Sequence, residues 1–239
     1  MPRVALPCPR VLLECRSDLV GGTNLFSVVG ETAALVNTPT VGAQGITCSA
    51  AASERIDVQI TGMALSSTPA KWTLCWAGSA TVVPPTTKRL CAAYGFRATT
   101  PPYRGVSLGL NADGTAHSFV TNGTSEYFLK GAIPTSSEFV MFAWWDGATH
   151  HMELWTDPSR PETTDSQALA FTPQLYSVAA LEVGRNRHNG SFYWDGTHKA
   201  AAWYFRTLSE SQRKEWVRRV LSRELLWPNV DPTLTRCLG

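Results

Sequence analysis

The sequence is short of charge, short of helix and empty of the common catalytic signatures. Charged residues make up 17% of its 239 positions, below the ~25% of an average soluble protein. The two signs nearly cancel, with 21 Lys and Arg against 19 Asp and Glu. A nucleic-acid surface concentrates basic residues, so nucleic acid is not an expected partner. No apolar run reaches the roughly 18 residues of a membrane span, and no membrane contact is expected. Pro2, Pro7 and Pro9 interrupt the first residues, and Arg3 and Arg10 charge them. An export signal needs an unbroken apolar stretch.

The cysteines are Cys8, Cys15, Cys48, Cys75, Cys91 and Cys237, with no C-x-x-C pair and no zinc spacing. Without export, free buried thiols are the expectation, with Cys48, Cys75 and Cys91 reduced. If a bridge forms, Cys75–Cys91 is the expected pair, provided their strands are neighbours. Catalytic patterns are missing too. Retaining glycosidases need two carboxyls about 5–5.5 Å apart. The chain contains no Glu-x-Asp or Glu-x-Glu. Glu153 and Asp157 are four positions apart, too far along a strand at ~3.3 Å per residue. There is no Gly-x-Ser-x-Gly elbow, phosphate loop or dinucleotide fingerprint. The expectation is a protein that is not an enzyme.

What is present is an apolar share of 44%, cut into short segments by turn residues. Ile56, Val58 and Ile60 alternate with Asp57, Gln59 and Thr61, as in a half-buried strand. Trp72 to Trp76 is more apolar and reads as a central strand. Val106–Leu110, Thr115–Val120 and Ser125–Leu129 form a meander around Asp113-Gly114 and Asn122-Gly123, dipeptides that suit tight hairpins. Glu138–Trp145 and His150–Trp155 flank Asp146-Gly147-Ala148-Thr149 as a further hairpin. Leu181–Gly184 and Lys199–Phe205 complete the series.

One helix is expected, over Ser209–Arg223. Ser209 and Gln212 have the spacing of a capping box. Trp216, Val217, Val220, Leu221 and Leu225 recur at helical intervals. Arg213, Lys214, Arg218, Arg219 and Arg223 form a basic run that reads as its wet face, with the first four turned to water or an acidic neighbour. Many short strands followed by one helix predict an all-β protein: a two-sheet antiparallel jelly-roll sandwich with one short C-terminal helix.

Four stretches resemble the laminin-G-like or concanavalin-A-like jelly rolls. They are Ala70–Trp76, Trp144–Gly147 with His150–Trp155, Leu181-Glu182-Val183-Gly184, and Gly196–Phe205 running into Arg206-Thr207-Leu208-Ser209. The resemblance covers Leu12–Arg223. It divides the chain into an N-terminal arm (1–11), the domain (12–225) and a C-terminal tail (226–239). The chain departs from the family after the central hairpin, where it has Leu154-Trp155-Thr156-Asp157-Pro158. Arg223, Trp227, Pro228 and Pro232 also resemble, in order, the copies encoded by tailed phages.

That narrower resemblance implies a non-enzymatic virion protein, a decoration, fibre or tail-associated part made and assembled in the host cytoplasm. Its partners would be other virion proteins, copies of itself and host surface glycans. The alternative is a free carbohydrate-binding lectin module, and a glycosidase of the same fold comes third. The candidate ligand-binding residues are Arg185, Asn186, His188, Asn189, Tyr193, Trp194 and Trp155. Together they offer amide, guanidinium and aromatic groups, which suit a sugar's hydroxyls and apolar ring face. No cofactor is expected. His150 and His151 point to opposite strand faces, and calcium has no clear ligand set.

Overall fold

A computed structural model describes residues 4–25, 32–58, 69–81, 91–97, 105–174, 181–186, 192–224 and 226. The strands begin with β1 (Val11–Glu14), β2 (Val20–Gly21), β3 (Asn24–Leu25), β4 (Ala33–Val36), β5 (Thr40–Gly42), β6 (Gly45–Cys48) and β7 (Arg55–Val58). The middle of the chain supplies β8 (Trp72–Ala80), β9 (Cys91–Arg97), β10 (Gly105–Leu110), β11 (Ala116–Thr121), β12 (Glu126–Lys130), β13 (Glu138–Trp145) and β14 (Thr149–Trp155). Then come β15 (Thr163–Ala168), β16 (Leu181–Val183), β17 (Arg185–Asn186), β18 (Phe192–Tyr193), β19 (Gly196–Tyr204) and the helix α1 (Glu210–Leu221).

Two large antiparallel sheets result. The first runs β15-β14-β13-β8-β19-β6-β5, with β1 also paired to β19. The second runs β12-β11-β10-β9-β16-β7-β4-β3-β2. The expected all-β sandwich with one C-terminal helix is therefore the fold observed. The expected strand beginning at Arg55 is described only as far as Val58.

Period-2 alternation decides what each face of the first sheet covers. Trp72, Leu74 and Trp76 of β8, with Phe139, Met141 and Ala143 of β13, point between the sheets into the main core. Cys75, Ala77, Val140 and Phe142 point the other way, into a second apolar layer. The helix lies over that layer and buries Trp216, Val217 and Val220 there. Both faces of the central strands are thus dry, which is why Trp72–Trp76 shows no polar alternation.

The helix starts as its sequence specifies. Gln212 N donates to Ser209 Oγ at 3.3 Å, and Ser209 N donates to Gln212 Oε1 at 2.9 Å. Two of its basic residues meet an acidic neighbour rather than water. Arg213 and Arg219 are buried. Each is neutralised by a carboxylate, Arg213 by Glu153 and Arg219 by Glu215. Trp144 is half-buried against this layer, with the Arg213 guanidinium over its ring.

The thiols divide. Cys15, Cys48 and Cys75 are free and buried, and burial raises the pKa of all three. Cys8 is disulfide-bonded, so the expectation of six free thiols is corrected. Its partner is none of those three. The side chain of Cys91 lies outside the described residues, so the Cys75–Cys91 expectation fails on Cys75 alone.

Candidate functional site

The residues singled out in the sequence come together only in part. Arg185 pairs with Tyr193, and Asn186 with Phe192, so β17 and β18 form a small separate hairpin. His188 and Asn189 fall outside the described residues. Tyr193 is half-buried. Trp194 fixes the base of the hairpin. Its backbone N donates to Gly184 O at 2.7 Å, and its Nε1 donates to Ser79 O at 2.9 Å. Gly184 has φ +92° there, a conformation that favours glycine. The Trp194 ring meets Trp76 edge-on at 4.9 Å and is 1% exposed.

Trp194 therefore has no face for a ligand. Trp155 has none either. It is fully buried in the layer under the helix, and its Nε1 donates to Glu153 Oε2 at 2.9 Å. Proximity to a turn suggested freedom for both rings, but the Trp194 ring packs on Trp76 and Phe139 of the first sheet, and Trp155 is covered by α1. These two are corrected from candidate ligand contacts to core residues.

The His150–Asp157 region also resolves into structure. His150 is buried between the sheets, with Nε2 2.9 Å from Ser118 Oγ. Burial lowers its pKa to about 3, and the nearby His151 adds to the fall. His151 lies on the outer face, stacked on Trp144 at 4.7 Å with planes 4° apart. Its Nε2 is 2.9 Å from Asp146 Oδ2. Burial pushes the Asp146 carboxyl up, but the His151 ring and the Thr149 and Ala148 amides outweigh it and hold it at about 2. Arg213 lies 4.2 Å from the centre of the Trp144 ring. This is a braced edge of the helix–sheet contact. Among the described residues, no three His, Cys, Asp or Glu side chains converge on a metal position.

A cavity of about 120 Å³ opens where β1 and α1 both end beside β19. Ala200, Val220 and Leu226 supply an apolar wall. Glu14, Arg16, Gln44, Lys199, Arg223 and Glu224 supply the polar lining. Most of these charges are satisfied. Glu14 accepts from Arg16 Nη1 at 3.0 Å and from Leu226 N at 2.7 Å. Lys199 Nζ is 2.7 Å from Glu138 Oε2. Glu224 accepts from Arg218 Nη1 at 2.5 Å. Arg223 is exposed and has no such partner among the described residues. Sequence reasoning missed this site because its members are spread from position 14 to position 226. The one local signal was an arginine just past the helix cap, where glycine is usual.

No protein family matches the chain, and no curated protein does. Solved structures match its fold. A Trypanosoma rangeli sialidase in complex with 2,3-difluorosialic acid aligns over 93% of this chain and 35% of its own, with TM-score 0.66 and 11% identity. A mutant of that sialidase displaying trans-sialidase activity aligns over 90% of this chain and 33% of its own, with TM-score 0.65 and 12% identity. The carbohydrate-binding module CBM40 of a Ruminococcus gnavus IT-sialidase, bound to alpha2,3 sialyllactose, aligns over 62% of this chain and 82% of its own, with TM-score 0.50 and 11% identity. The chain spans about a third of the length of the trypanosomal sialidases.

At such identities the likeness establishes a lectin-like jelly-roll sandwich. It also overturns the expectation that the chain is not an enzyme. That exclusion rested on the missing carboxylate pair, and sialidases use a tyrosine nucleophile instead. A fold shared over nine-tenths of the chain with sialidases removes the ground for it. None of the structures named here is a phage protein, so the virion reading and its self-assembly partners gain no support.

Proposed function

We propose that the chain is a glycan-binding domain of the lectin-like sandwich type, directed at sialylated glycans. The observation that carries this reading is the likeness of the sandwich to a carbohydrate-binding module solved with sialyllactose. The likeness to sialidases over almost the whole chain supports the same class of sugar. The disulfide at Cys8 supports an oxidising compartment as the place of action, since such bonds are rare in the cytoplasm.

The test is titration of the full chain with sialyllactose and with lactose, followed by NMR shifts or calorimetry. Saturable binding of sialyllactose is the expected result. Absence of binding to both sugars would overturn the proposal. The same preparation assayed for release of sialic acid tests sialidase activity separately, because binding and hydrolysis are read by different signals.

A further inference from the structure

We infer that the cavity at the end of α1 binds a saccharide bearing a carboxylate, and that Arg223 receives that carboxylate. This rests on the glycan-binding reading and deepens it by naming the place and the group recognised.

The first observation is the backbone at the helix end. Glu224 N donates to Arg219 O at 2.8 Å, and Arg223 N donates to Val220 O at 3.2 Å. With Ser222 as the C-cap, these are the two hydrogen bonds of a Schellman closure. The residue after the cap must then be left-handed, and Arg223 has φ +58°. Glycine takes this position without strain, and a side chain there carries a cost. Strained residues of this kind cluster at functional sites.

The second observation is the balance of charge. Arg16 faces Glu14, Lys199 faces Glu138, and Glu224 faces Arg218. Arg223 alone among the lining cations has no acidic partner among the described residues. The cavity therefore presents one uncompensated guanidinium, and a guanidinium takes a carboxylate through two parallel hydrogen bonds. The walls suit a sugar. The exposed Gln44 amide donates and accepts, while Ala200, Val220 and Leu226 offer an apolar surface to one ring face. At about 120 Å³ the space is far below the ~300–1,000 Å³ of pockets for larger ligands. It is sized for the carboxylate-bearing end of one residue, not for an internal stretch of glycan.

The experiment compares the full wild-type chain with Arg223→Gly, Arg223→Gln and Gln44→Ala, each titrated with sialyllactose and lactose. Loss of one charge-assisted contact should weaken sialyllactose binding about tenfold or more in both Arg223 variants, with lactose unaffected. Gln44→Ala should weaken it less. Arg223→Gly should melt no lower than wild type, so its loss of binding cannot come from unfolding. If both Arg223 variants bind sialyllactose as wild type does, the cavity is not the site and the inference fails, while the glycan-binding reading stands. If inorganic phosphate displaces sialyllactose as well as free sialic acid does, the site reads charge alone and the saccharide assignment fails. If the wild type binds neither sugar, the underlying reading fails as well.

Discussion

Arg213 of the helix grips Glu153 of β14 in a two-point ion pair, with Nε 2.7 Å from Oε2 and Nη2 2.9 Å from Oε1. Both side chains are about nine-tenths buried. Arg213 Nη1 also donates to Leu208 O at 2.6 Å, and Glu153 also accepts from Trp155. One pair thus ties the start of the helix, its preceding turn and the sheet together. Breaking a buried pair by removing one partner leaves a charge without compensation and costs about 3–5 kcal/mol. Arg213→Ala should therefore destabilise strongly. Arg213→Met with Glu153→Leu should recover much of the loss, because no lone charge remains. Urea unfolding of the two variants checks this, and equal loss in both would show that the charge is not what matters.

Trp216→Ala tests the docking of the helix itself. The indole is fully buried and meets Phe142 edge-on at 5.6 Å. Truncating a buried Trp typically costs about 3–5 kcal/mol, against a domain stability of about 5–15 kcal/mol. The thermal midpoint should drop sharply. An unchanged midpoint would mean that the outer apolar layer contributes little.

Arg223→Gly should act in the opposite direction. It relieves a left-handed side chain, worth about 1–2 kcal/mol, and adds the greater freedom of unfolded glycine, about 0.5–1 kcal/mol. The net expectation is a gain of roughly 0.5–1 kcal/mol in unfolding experiments. A loss of stability would show that the Arg223 side chain supports the fold.

The disulfide at Cys8 is open to direct count. Titration of the denatured, unreduced chain should find at most four reactive thiols of six. Mass mapping of the bridge should join the Cys8 peptide to a cysteine other than Cys15, Cys48 or Cys75. Six reactive thiols would remove the bridge and the argument for an oxidising compartment with it.

Some of this was legible before any coordinates. Ser209 and Gln212 announced the helix start, because both capping hydrogen bonds are local. The 138–155 hairpin followed from its Asp-Gly turn, and it pairs Trp144 with His151 and Trp145 with His150. Long-range relations were not legible. Arg213 looked solvated because its partner lies 60 positions earlier. Trp155 looked free because a helix folding back over β14 leaves no trace in the local pattern. Strand β15 reads Thr-Thr-Asp-Ser-Gln-Ala. As a polar edge strand it has no hydrophobic alternation to reveal it. Trp155 and Trp194 were misread as ligand contacts in the same way, since their burial depends on distant neighbours.

Three buried histidines should set the acid limit of the fold. His117, His150 and His198 each have a pKa lowered to about 3, chiefly by burial. In the unfolded chain each sits near 6.5. Below about 6.5 the unfolded state takes up protons that the folded state refuses. Stability is therefore complete above that pH and falls as pH drops towards 3. The histidines differ in their partners. His198 Nδ1 accepts from Trp76 Nε1 at 3.0 Å, and His150 faces Ser118. Among the described residues, neither ring nitrogen of His117 has a hydrogen-bond partner. An unsatisfied buried polar group costs about 1–3 kcal/mol. His117→Leu should therefore raise stability at pH 7.5 and flatten its decline towards pH 4.5. His198→Leu should also flatten the decline, but it strands the Trp76 donor and should lower stability at pH 7.5. Urea unfolding at the two pH values reads both effects. If His117→Leu leaves the pH dependence as steep as wild type, His117 is not among the groups that hold the fold against acid.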